Sequence, residues 1–201
     1  MVSESNNFPL RCDPEMSASF RSPRSRSALS SSSRESGATL VEASIAIGLL
    51  LTVIFGIAEF GLAFKDWLSV SHAAREGART AAVFADSIYA DIETLRMVDK
   101  DLRVASTEIN WIRIFNPATG TGTTYAPAGT ICGWNPCPDP DNPADYTVPT
   151  WNPLDRDITA PMTDRVGIQV DYDHEWVTGL FGSSTNHQLT VTFQIEPQVF
   201  E

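Results

Sequence analysis

The apolar run at residues 38–64 limits what this chain can fold into more than any other feature. Its only charges are Glu42 and Glu59, and no proline interrupts it. A bilayer core of about 30 Å needs about 20 apolar residues at about 1.5 Å per helical residue. The run therefore predicts a transmembrane helix over residues 38–64, with the rest of the chain on either side of a membrane.

The beginning of this run carries a pattern of small and acidic residues. Gly37 lies at the boundary between polar and apolar sequence, and Glu42 follows inside the apolar run. A carboxylate deep in a spanning helix costs about 2–3 kcal/mol, so it generally has a partner or a function. The Gly37-Ala38 step with Glu42 resembles the cleavage site of type IV prepilins and pseudopilins. That resemblance implies cleavage after Gly37 by a prepilin peptidase and docking of subunits through Glu42 and the freed amine of Ala38.

The sequence around the C-terminal end of the run resembles a narrower family. Residues 55–61 read FGIAEFG and residues 73–79 read AAREGAR. Together they resemble the TadE-like family of tight-adherence (Tad, Flp) pilus assembly proteins over residues 36–82, about a quarter of the chain. The resemblance implies action in pilus assembly, with the lipid bilayer, other pilus subunits and assembly platform proteins as partners.

The residue after Glu42 distinguishes this chain from the major subunit of such pili. Major Tad pilins have a Glu-Tyr pair where this chain has Glu42-Ala43, and they are much shorter. The resemblance therefore implies a minor pseudopilin or an accessory assembly factor.

Basic residues near the two ends of the run set the expected orientation. Four arginines precede it within residues 21–34, and Lys65, Arg75 and Arg79 follow it. Because Lys and Arg near a span favour the cytoplasmic side, this bias favours a cytoplasmic N-terminus. The expected location is the cytoplasmic (inner) membrane, crossed once, with the C-terminal domain extracytoplasmic.

Composition differs between the two sides of the run. Residues 1–37 are rich in Ser and Arg and are predicted to be a disordered cytoplasmic leader, shorter if Met16 is the true start. Residues 65–201 carry nine Lys or Arg against 19 Asp or Glu. Nucleic-acid binding needs clustered basic residues, so no nucleic-acid partner is expected.

The helix is expected to continue beyond the membrane, because the sequence after the apolar run is rich in alanine and lacks proline. One stretch of this continuation has two open interpretations. It is either a solvated helix face with local ion pairs or a partner-contact face on which a glycine permits close backbone approach. Its residues are Arg75, Glu76, Gly77 and Arg79.

A second helix is predicted to complete an extracytoplasmic helical region over residues 65–105. Its evidence is a stripe of apolar residues three and four positions apart, which is typical of an amphipathic helix. The stripe consists of Ile88, Ile92, Leu95, Val98 and Leu102.

Residues 106–201 are predicted to form an antiparallel sheet with a long loop. β-Branched and aromatic residues predict a strand at residues 107–115, and alternation predicts an antiparallel pair at residues 166–172 and 189–195. Prolines concentrate in residues 116–161, which predicts one irregular loop. The predicted fold is therefore α+β and pseudopilin-like, with a long N-terminal transmembrane helix, a second helix and a short antiparallel sheet.

Two cysteines in the loop indicate a disulfide. Cys132 and Cys137 are separated by four residues, a spacing that can close a small ring in an oxidising compartment. A structural zinc site needs four ligands, and only three histidines could join these cysteines, so the disulfide is the better prediction.

The acidic residues do not predict a metal site or an active site. Asp139, Asp141 and Asp145 are spaced like calcium ligands, but prolines interrupt them and the terminal glutamate of an EF-hand is missing. Asp171, Asp173, His174 and Glu175 form an acidic cluster in the sequence. Alternation places Asp171 and Asp173 on the solvent face of a strand, so a solvated face is expected for this cluster. No nucleophile elbow, phosphate-binding glycine loop or zinc-protease helix occurs, so neither an enzyme nor a cofactor is expected.

Two other functions remain open from the sequence. The chain could be an uncleaved, membrane-anchored binding module whose exported domain contacts a partner. It could instead be a secreted soluble protein cut after Ala63, although the apolar run is far longer than the usual 7–15 residues of a signal sequence.

Overall fold

The computed structural model describes residues 32–102, 107–159, 162–179 and 181–196, with side chains from Gly37 onward. The described elements are two α-helices, five β-strands and one short 3-10 helix. In chain order they are α1 (Ser32–Val83), α2 (Ala90–Leu102), β1 (Glu108–Phe115), β2 (Gly122–Pro127), β3 (Trp134–Asn135), the 3-10 helix (Pro153–Asp155), β4 (Arg165–Glu175) and β5 (Ser184–Gln194).

This architecture confirms the predicted α+β class. The chain divides into two compact units, residues 1–45 and residues 46–201. In the first unit α1 begins at Ser32, within the segment assigned to the leader, and its side chains from Gly37 are exposed. Residues 1–31, which hold most of the predicted leader, lie outside the described residues.

α1 is an uninterrupted helix because its sequence contains no proline and the apolar part is followed by alanine-rich sequence. Over residues 37–83 it is long and apolar enough to cross a membrane, and no other helix in the described part of the chain has this property. The predicted continuation beyond the apolar run is confirmed, since α1 ends at Val83.

The C-terminal part of α1 carries small side chains on its buried face. These residues recur at helical spacing, so they line one face. They are Val70, Ala73, Ala74, Ala78, Ala81 and Ala82. Small side chains let a neighbouring helix approach closely, and α2 occupies that position.

Gly77 marks a point of close approach between the two helices. A Cβ atom at Gly77 would lie 2.4 Å from Cγ2 of Val98 and 3.7 Å from Cγ2 of Thr94. The absence of a side chain at this position therefore allows α2 to pack directly on the backbone of α1.

Most of the stripe predicted for α2 is confirmed as its buried face. Ile92, Leu95, Val98 and Leu102 are all buried. Ile88 instead lies in the turn before the helix and is partly exposed, because α2 begins at Ala90.

The sheet has the strand order β3-β2-β1-β4-β5, and all neighbours are antiparallel. Ile112 of β1 is aligned with Val170 of β4, and Ile114 with Ile168, so these side chains share one face. That face is buried in the same core cluster as α2 and the alanine face of α1. The three predicted strands are confirmed as β1, β4 and β5, and β4 and β5 form the predicted antiparallel pair.

The expectation of one irregular loop over residues 116–161 needs correction, because β2 and β3 lie inside it. β1 turns back at Asn116, whose N–H donates to the carbonyl of Thr121 at 2.8 Å. Gly120 adopts a φ of 73°, which a non-glycine residue rarely adopts. The threonines and tyrosine of β2 favour a strand, and Pro127 ends it.

A buried charged cluster attaches the rest of this segment to α2. Arg156, 4% exposed, forms an ion pair with Asp91 of α2, and its guanidinium lies 4.5 Å from the ring centre of Trp151. The hydroxyl of Tyr125 donates to Asp91 at 2.6 Å. Burial, and then the Asp91 carboxylate, raise the pKa of Tyr125, which keeps the phenol protonated as a donor.

The opposite face of the sheet holds an amide cluster where we expected a solvated aspartate. Asp171 is 4% exposed and accepts from Asn110 at 2.9 Å, from Asn186 at 2.8 Å and from Gln188 at 2.8 Å. Asp173 is half-buried and also accepts from Asn186. The strand alternation was correct, but neighbouring strands supply long amide side chains that cover Asp171.

Replacing Gly77 by alanine should destabilise the C-terminal unit. Alanine improves helix propensity by about 1 kcal/mol, but the new methyl group would overlap Val98, whose branched side chain cannot turn away within a helix. Overpacking of this kind costs about 1–3 kcal/mol. We expect a lower midpoint of thermal unfolding for Gly77→Ala, partly restored by adding Val98→Ala.

Gly129→Ala is the matched control, because nothing lies within 4 Å of the position that a Cβ atom would take there and its φ is ordinary. An unchanged or raised midpoint for Gly77→Ala would contradict this packing.

The amide cluster makes part of the stability depend on pH through Asp171. Burial raises the pKa of its carboxyl, but the hydrogen bonds from Asn186, Asn110 and Gln188 outweigh burial and hold the pKa below its ordinary value. The stabilisation is therefore present above the unfolded pKa of about 4 and is lost as the pH falls through the lowered folded pKa.

We accordingly expect Asp171→Asn to be less stable than the unmodified chain at neutral pH, with a difference that shrinks below pH about 4. Chemical denaturation over a pH series measures this difference. Asp155→Asn, at an exposed position, serves as the control. A difference for Asp171→Asn that stays constant across the series would contradict the assignment.

Candidate functional site

The candidate site is the junction between α1 and the end of the β4–β5 hairpin. β4 ends at Glu175 and β5 begins at Ser184, and the described residues between them, 176–179 and 181–183, are here called the β4–β5 loop. Two acidic residues of α1, Glu59 and Asp66, contact this end of the hairpin. They are seven residues apart, which is about two helical turns, so both lie on one face of α1.

Glu59 binds the backbone of the loop. Its Oε2 accepts from the N–H of Val177 at 3.1 Å, and its Oε1 accepts from the N–H of Thr178. The residue is 1% exposed, in the C-terminal part of the apolar run. The Glu59 carboxylate, in an apolar segment, therefore accepts from two N–H groups that are distant in the sequence. The same two bonds give these loop N–H groups an acceptor.

Asp66 binds the C-terminal end of β4 through a histidine. Its Oδ2 lies 2.7 Å from Nδ1 of His174, and both side chains are buried. Since an ionised carboxylate can only accept, Nδ1 of His174 is the donor. Burial, and then the charge of Asp66, raise the pKa of the neighbouring Tyr172. The Asp66–His174 pair holds the end of β4 against α1.

Aromatic rings surround these polar contacts. The ring of Phe60 lies 6.0 Å from Trp176 and 5.1 Å from Phe181, and Trp176 and Phe181 are 5.2 Å apart. The ring of His174 meets Trp176 edge-on at 4.7 Å. The indole N–H of Trp176 donates to Oγ1 of Thr185 at 2.8 Å. Phe60 of α1 therefore packs on two rings of the hairpin, Trp176 and Phe181. His174 joins the cluster through Trp176.

A cleft of about 220 Å³ lies beside the junction. It is lined by Leu62, Lys65, Asp66, His174, Glu175, Trp176 and Val177. Nε2 of His174 is buried and has no hydrogen-bond partner among the residues that the structure describes. Neither here nor in the rest of the described ranges is a group of three or more His, Cys, Asp or Glu side chains placed to hold a metal ion.

The predicted processing and docking residues lie elsewhere on α1. Gly37, Ala38 and Glu42 are exposed on the helix in the first unit of the chain. Nothing lies within 4 Å of the position that a side chain at Gly37 would take. These three residues share the element α1 with the junction but belong to a different part of it.

The predicted partner face is divided by the structure. Arg75 and Arg79 are exposed and Glu76 is half-buried, whereas Gly77 is buried against α2 of the same chain. The close backbone approach that one of the two open interpretations assigned to a partner is therefore made by α2 of the same chain. The two arginines remain on an exposed face of α1.

The two loop cysteines are joined as the sequence suggested. Cys132 and Cys137 form a disulfide with a Cα–Cα distance of 6.1 Å. Cys137 is buried, and its carbonyl accepts from the N–H of Thr147 at 2.8 Å. The ring thus forms part of a folded segment and not a loose loop.

The sequence analysis did not identify the junction itself. Glu59 was visible as an isolated charge in an apolar run, and that charge was the one available signal. His174 was grouped with its acidic neighbours on a solvated surface, although strand alternation from Val170 and Tyr172 places it on the buried face. Its partner Asp66 lies 108 residues away, so no local pattern joins them.

Comparison with known families agrees with the resemblance noted in the sequence. Residues 37–79 match the family model described as TadE-like protein. The matched segment begins at Gly37, lies entirely on α1 and includes both Glu59 and Asp66. No curated protein and no solved structure matches the chain. The similarity to the TadE-like family is therefore confined to this segment of α1, and the match does not extend to the sheet.

Glu59→Gln should loosen the β4–β5 loop. Glutamine has one acceptor oxygen where Glu59 has two, so one of the N–H groups of Val177 and Thr178 loses its acceptor and faces an amide donor. Breaking a hydrogen bond to a charged group costs about 1–3 kcal/mol, and about 1.4 kcal/mol corresponds to a tenfold change. We expect hydrogen exchange of these two amides to accelerate about tenfold or more.

The matched control is Glu175→Gln, since Glu175 is exposed at the end of β4 beside the same loop. Equal exchange rates in Glu59→Gln and in the unmodified chain would contradict the role assigned to Glu59.

Proposed function

We propose that this chain is a minor pseudopilin or accessory factor in the assembly of a Tad (Flp) type IV pilus. The observation that carries the proposal is the TadE-like match over residues 37–79, which coincides with the single candidate membrane helix of the described residues. The chain would act by assembly and not by catalysis. Its partners would be the lipid bilayer, a prepilin peptidase, other pilus subunits and the assembly platform proteins.

Processing after Gly37 is the first step of the proposed function. The Gly37-Ala38 bond lies on an exposed part of α1 with open space around the glycine, which is compatible with entry into a peptidase. Cleavage would convert Ala38 into a new N-terminus with a positively charged amine. Glu42 would then have a cationic partner, on its own chain or on a neighbouring subunit, which offsets the cost of a carboxylate in lipid.

The proposed location is the cytoplasmic membrane with the C-terminal unit outside the cytoplasm. The basic residues around the apolar run favour this orientation. The Cys132–Cys137 disulfide supports it as well, because disulfides persist in oxidising compartments.

The first alternative is an uncleaved, membrane-anchored binding module. Its contact surface would include the folded proline-rich segment, where the apolar side chain of Ile131 is 87% exposed beside the disulfide. In that case the leader would be retained and the C-terminal unit would contact its partner from the membrane surface.

N-terminal sequencing of the protein purified from the membranes of its native host tests the proposal. We expect the sequence to begin at Ala38. Gly37→Val should abolish processing, whereas Gly48→Val, at another uncrowded glycine of α1, should leave it unchanged. Glu42→Gln should be cleaved normally but should reduce recovery of the protein with pilus components.

Other N-termini would contradict the proposal in distinguishable ways. A membrane-bound protein beginning at Met1 or Met16 would be an uncleaved anchored module. A protein released into the medium and beginning after Ala63 would be a secreted soluble protein.

A further inference from the structure

We propose that the β4–β5 loop inserts into the bilayer interface beside α1 and forms a second contact between the protein and membrane lipid. The inference rests on the membrane-spanning part of the proposed function and is independent of pilus assembly. It is argued from the level of the loop along α1, its apolar surface, its hydrogen bonding and its sequence.

The level of the loop follows from its two contacts with α1. His174 contacts Asp66, just beyond the apolar run, and three to four residues later Val177 and Thr178 contact Glu59. The hairpin therefore runs along α1 toward the apolar segment. Glu59 precedes the end of the run at Phe64 by five residues, or about 8 Å at about 1.5 Å per residue. Interfacial elements typically enter a bilayer by about 5–10 Å, so the loop lies at that depth.

The surface at this level is apolar on both helix and loop. Val177 is 76% exposed and Phe181 is 50% exposed, although each is a large apolar side chain. On α1, Phe60 and Phe64 are 57% and 59% exposed at the same level. The exposed loop surface is continuous with the exposed surface of the candidate span, because Phe181 packs on Phe60. Because this apolar surface continues the surface that a spanning helix exposes to lipid, lipid is the partner that would cover it.

The hydrogen bonds of the loop suit a region of low water content. Irregular backbone is tolerated near lipid only where its polar groups have partners. The N–H groups of Val177 and Thr178 bind Glu59, and the N–H of Trp176 donates to the carbonyl of Ser183 at 3.0 Å. The indole N–H of Trp176 is also bonded within the hairpin. The loop can therefore leave water without leaving these four donors unpaired.

Composition separates the loop from the strands that it joins. The sequence between the two strands, residues 176–183, is WVTGLFGS and contains no charged residue, whereas Glu175 precedes it directly. Lys65, Asp66 and Trp67 follow the apolar run on α1. Tryptophan and charged residues are common at the level of the lipid headgroups, so this level coincides with the end of β4.

These observations assign a second role to Glu59. It would hold a lipid-inserted loop on the membrane helix, and the loop would in turn shield its carboxylate from lipid. The apolar segment available to span the membrane before Glu59 covers residues 38–58. That length still suffices for a core of about 30 Å.

The test uses fluorescent labels on the full-length chain in vesicles. Cys12→Ser removes the cysteine outside the disulfide, and Val177→Cys introduces one labelling site for an environment-sensitive dye. The labelled protein is reconstituted into phosphatidylcholine vesicles that contain a fraction of lipid with a nitroxide on the acyl chain. Quenching by the nitroxide reports lipid contact, and quenching by aqueous iodide reports water contact. Circular dichroism checks that the variant is folded, which the exposure of Val177 favours.

Two reference sites calibrate the signal. Val148→Cys is the matched surface site: Val148 is 59% exposed, and nearby Thr150 bonds to Thr123 of β2, at the end of the sheet away from the loop. Leu50→Cys, at a residue 56% exposed on α1, reports the candidate span. We expect nitroxide quenching at position 177 to exceed that at position 148 by about twofold or more, since the inserted label lies at the acyl boundary.

Three other outcomes would overturn the inference. If position 177 is quenched like position 148 while position 50 is quenched by the nitroxide, the loop lies in water although α1 spans, and the proposed function is unaffected. If position 177 is shielded from both quenchers, the loop contacts protein, namely a second copy of this chain. If position 50 is quenched by iodide alone, α1 does not enter the membrane, and the proposed function fails with the inference.

Discussion

The close contact between α2 and the alanine face of α1 is the interaction on which the C-terminal unit depends. Alanines and Gly77 have small side chains or none, so Val98 of α2 packs directly against the backbone of α1. The buried residues of both helices belong to one core cluster with the inner face of the sheet, where Ile112 and Val170 are aligned. A larger side chain at Gly77 would separate the helices and open the core between them.

The surface of α1 changes character along its length, and its acidic residues mark the transition. Residues 46–58 expose large apolar side chains, whereas the alanine face beyond residue 70 is buried by protein. Between them, Glu59 and Asp66 bind the end of the β4–β5 hairpin, which supplies the partners that buried carboxylates need. The junction therefore attaches the candidate membrane helix firmly to the domain that it carries.

The sequence alone determined the elements whose evidence is local. The length of the apolar run, the absence of proline through Val83, the stripe of α2 and the alternation of β4 and β5 each depend on neighbouring residues, and each was predicted. β2 was missed because its few strand-forming residues lie between prolines. Recognising it as a strand requires knowing that it pairs with β1.

Only the tertiary structure decided how the charged and small residues are used. One of the two open interpretations of Gly77 was contact with a partner, but this residue packs on α2. Asp171 was expected on a solvated face but is covered by three amides, and His174 was expected in a solvated cluster but binds Asp66. The physical reason is common to all three. Whether a polar or small residue is buried depends on which distant segment packs against it, and a sequence pattern records only the neighbours along the chain.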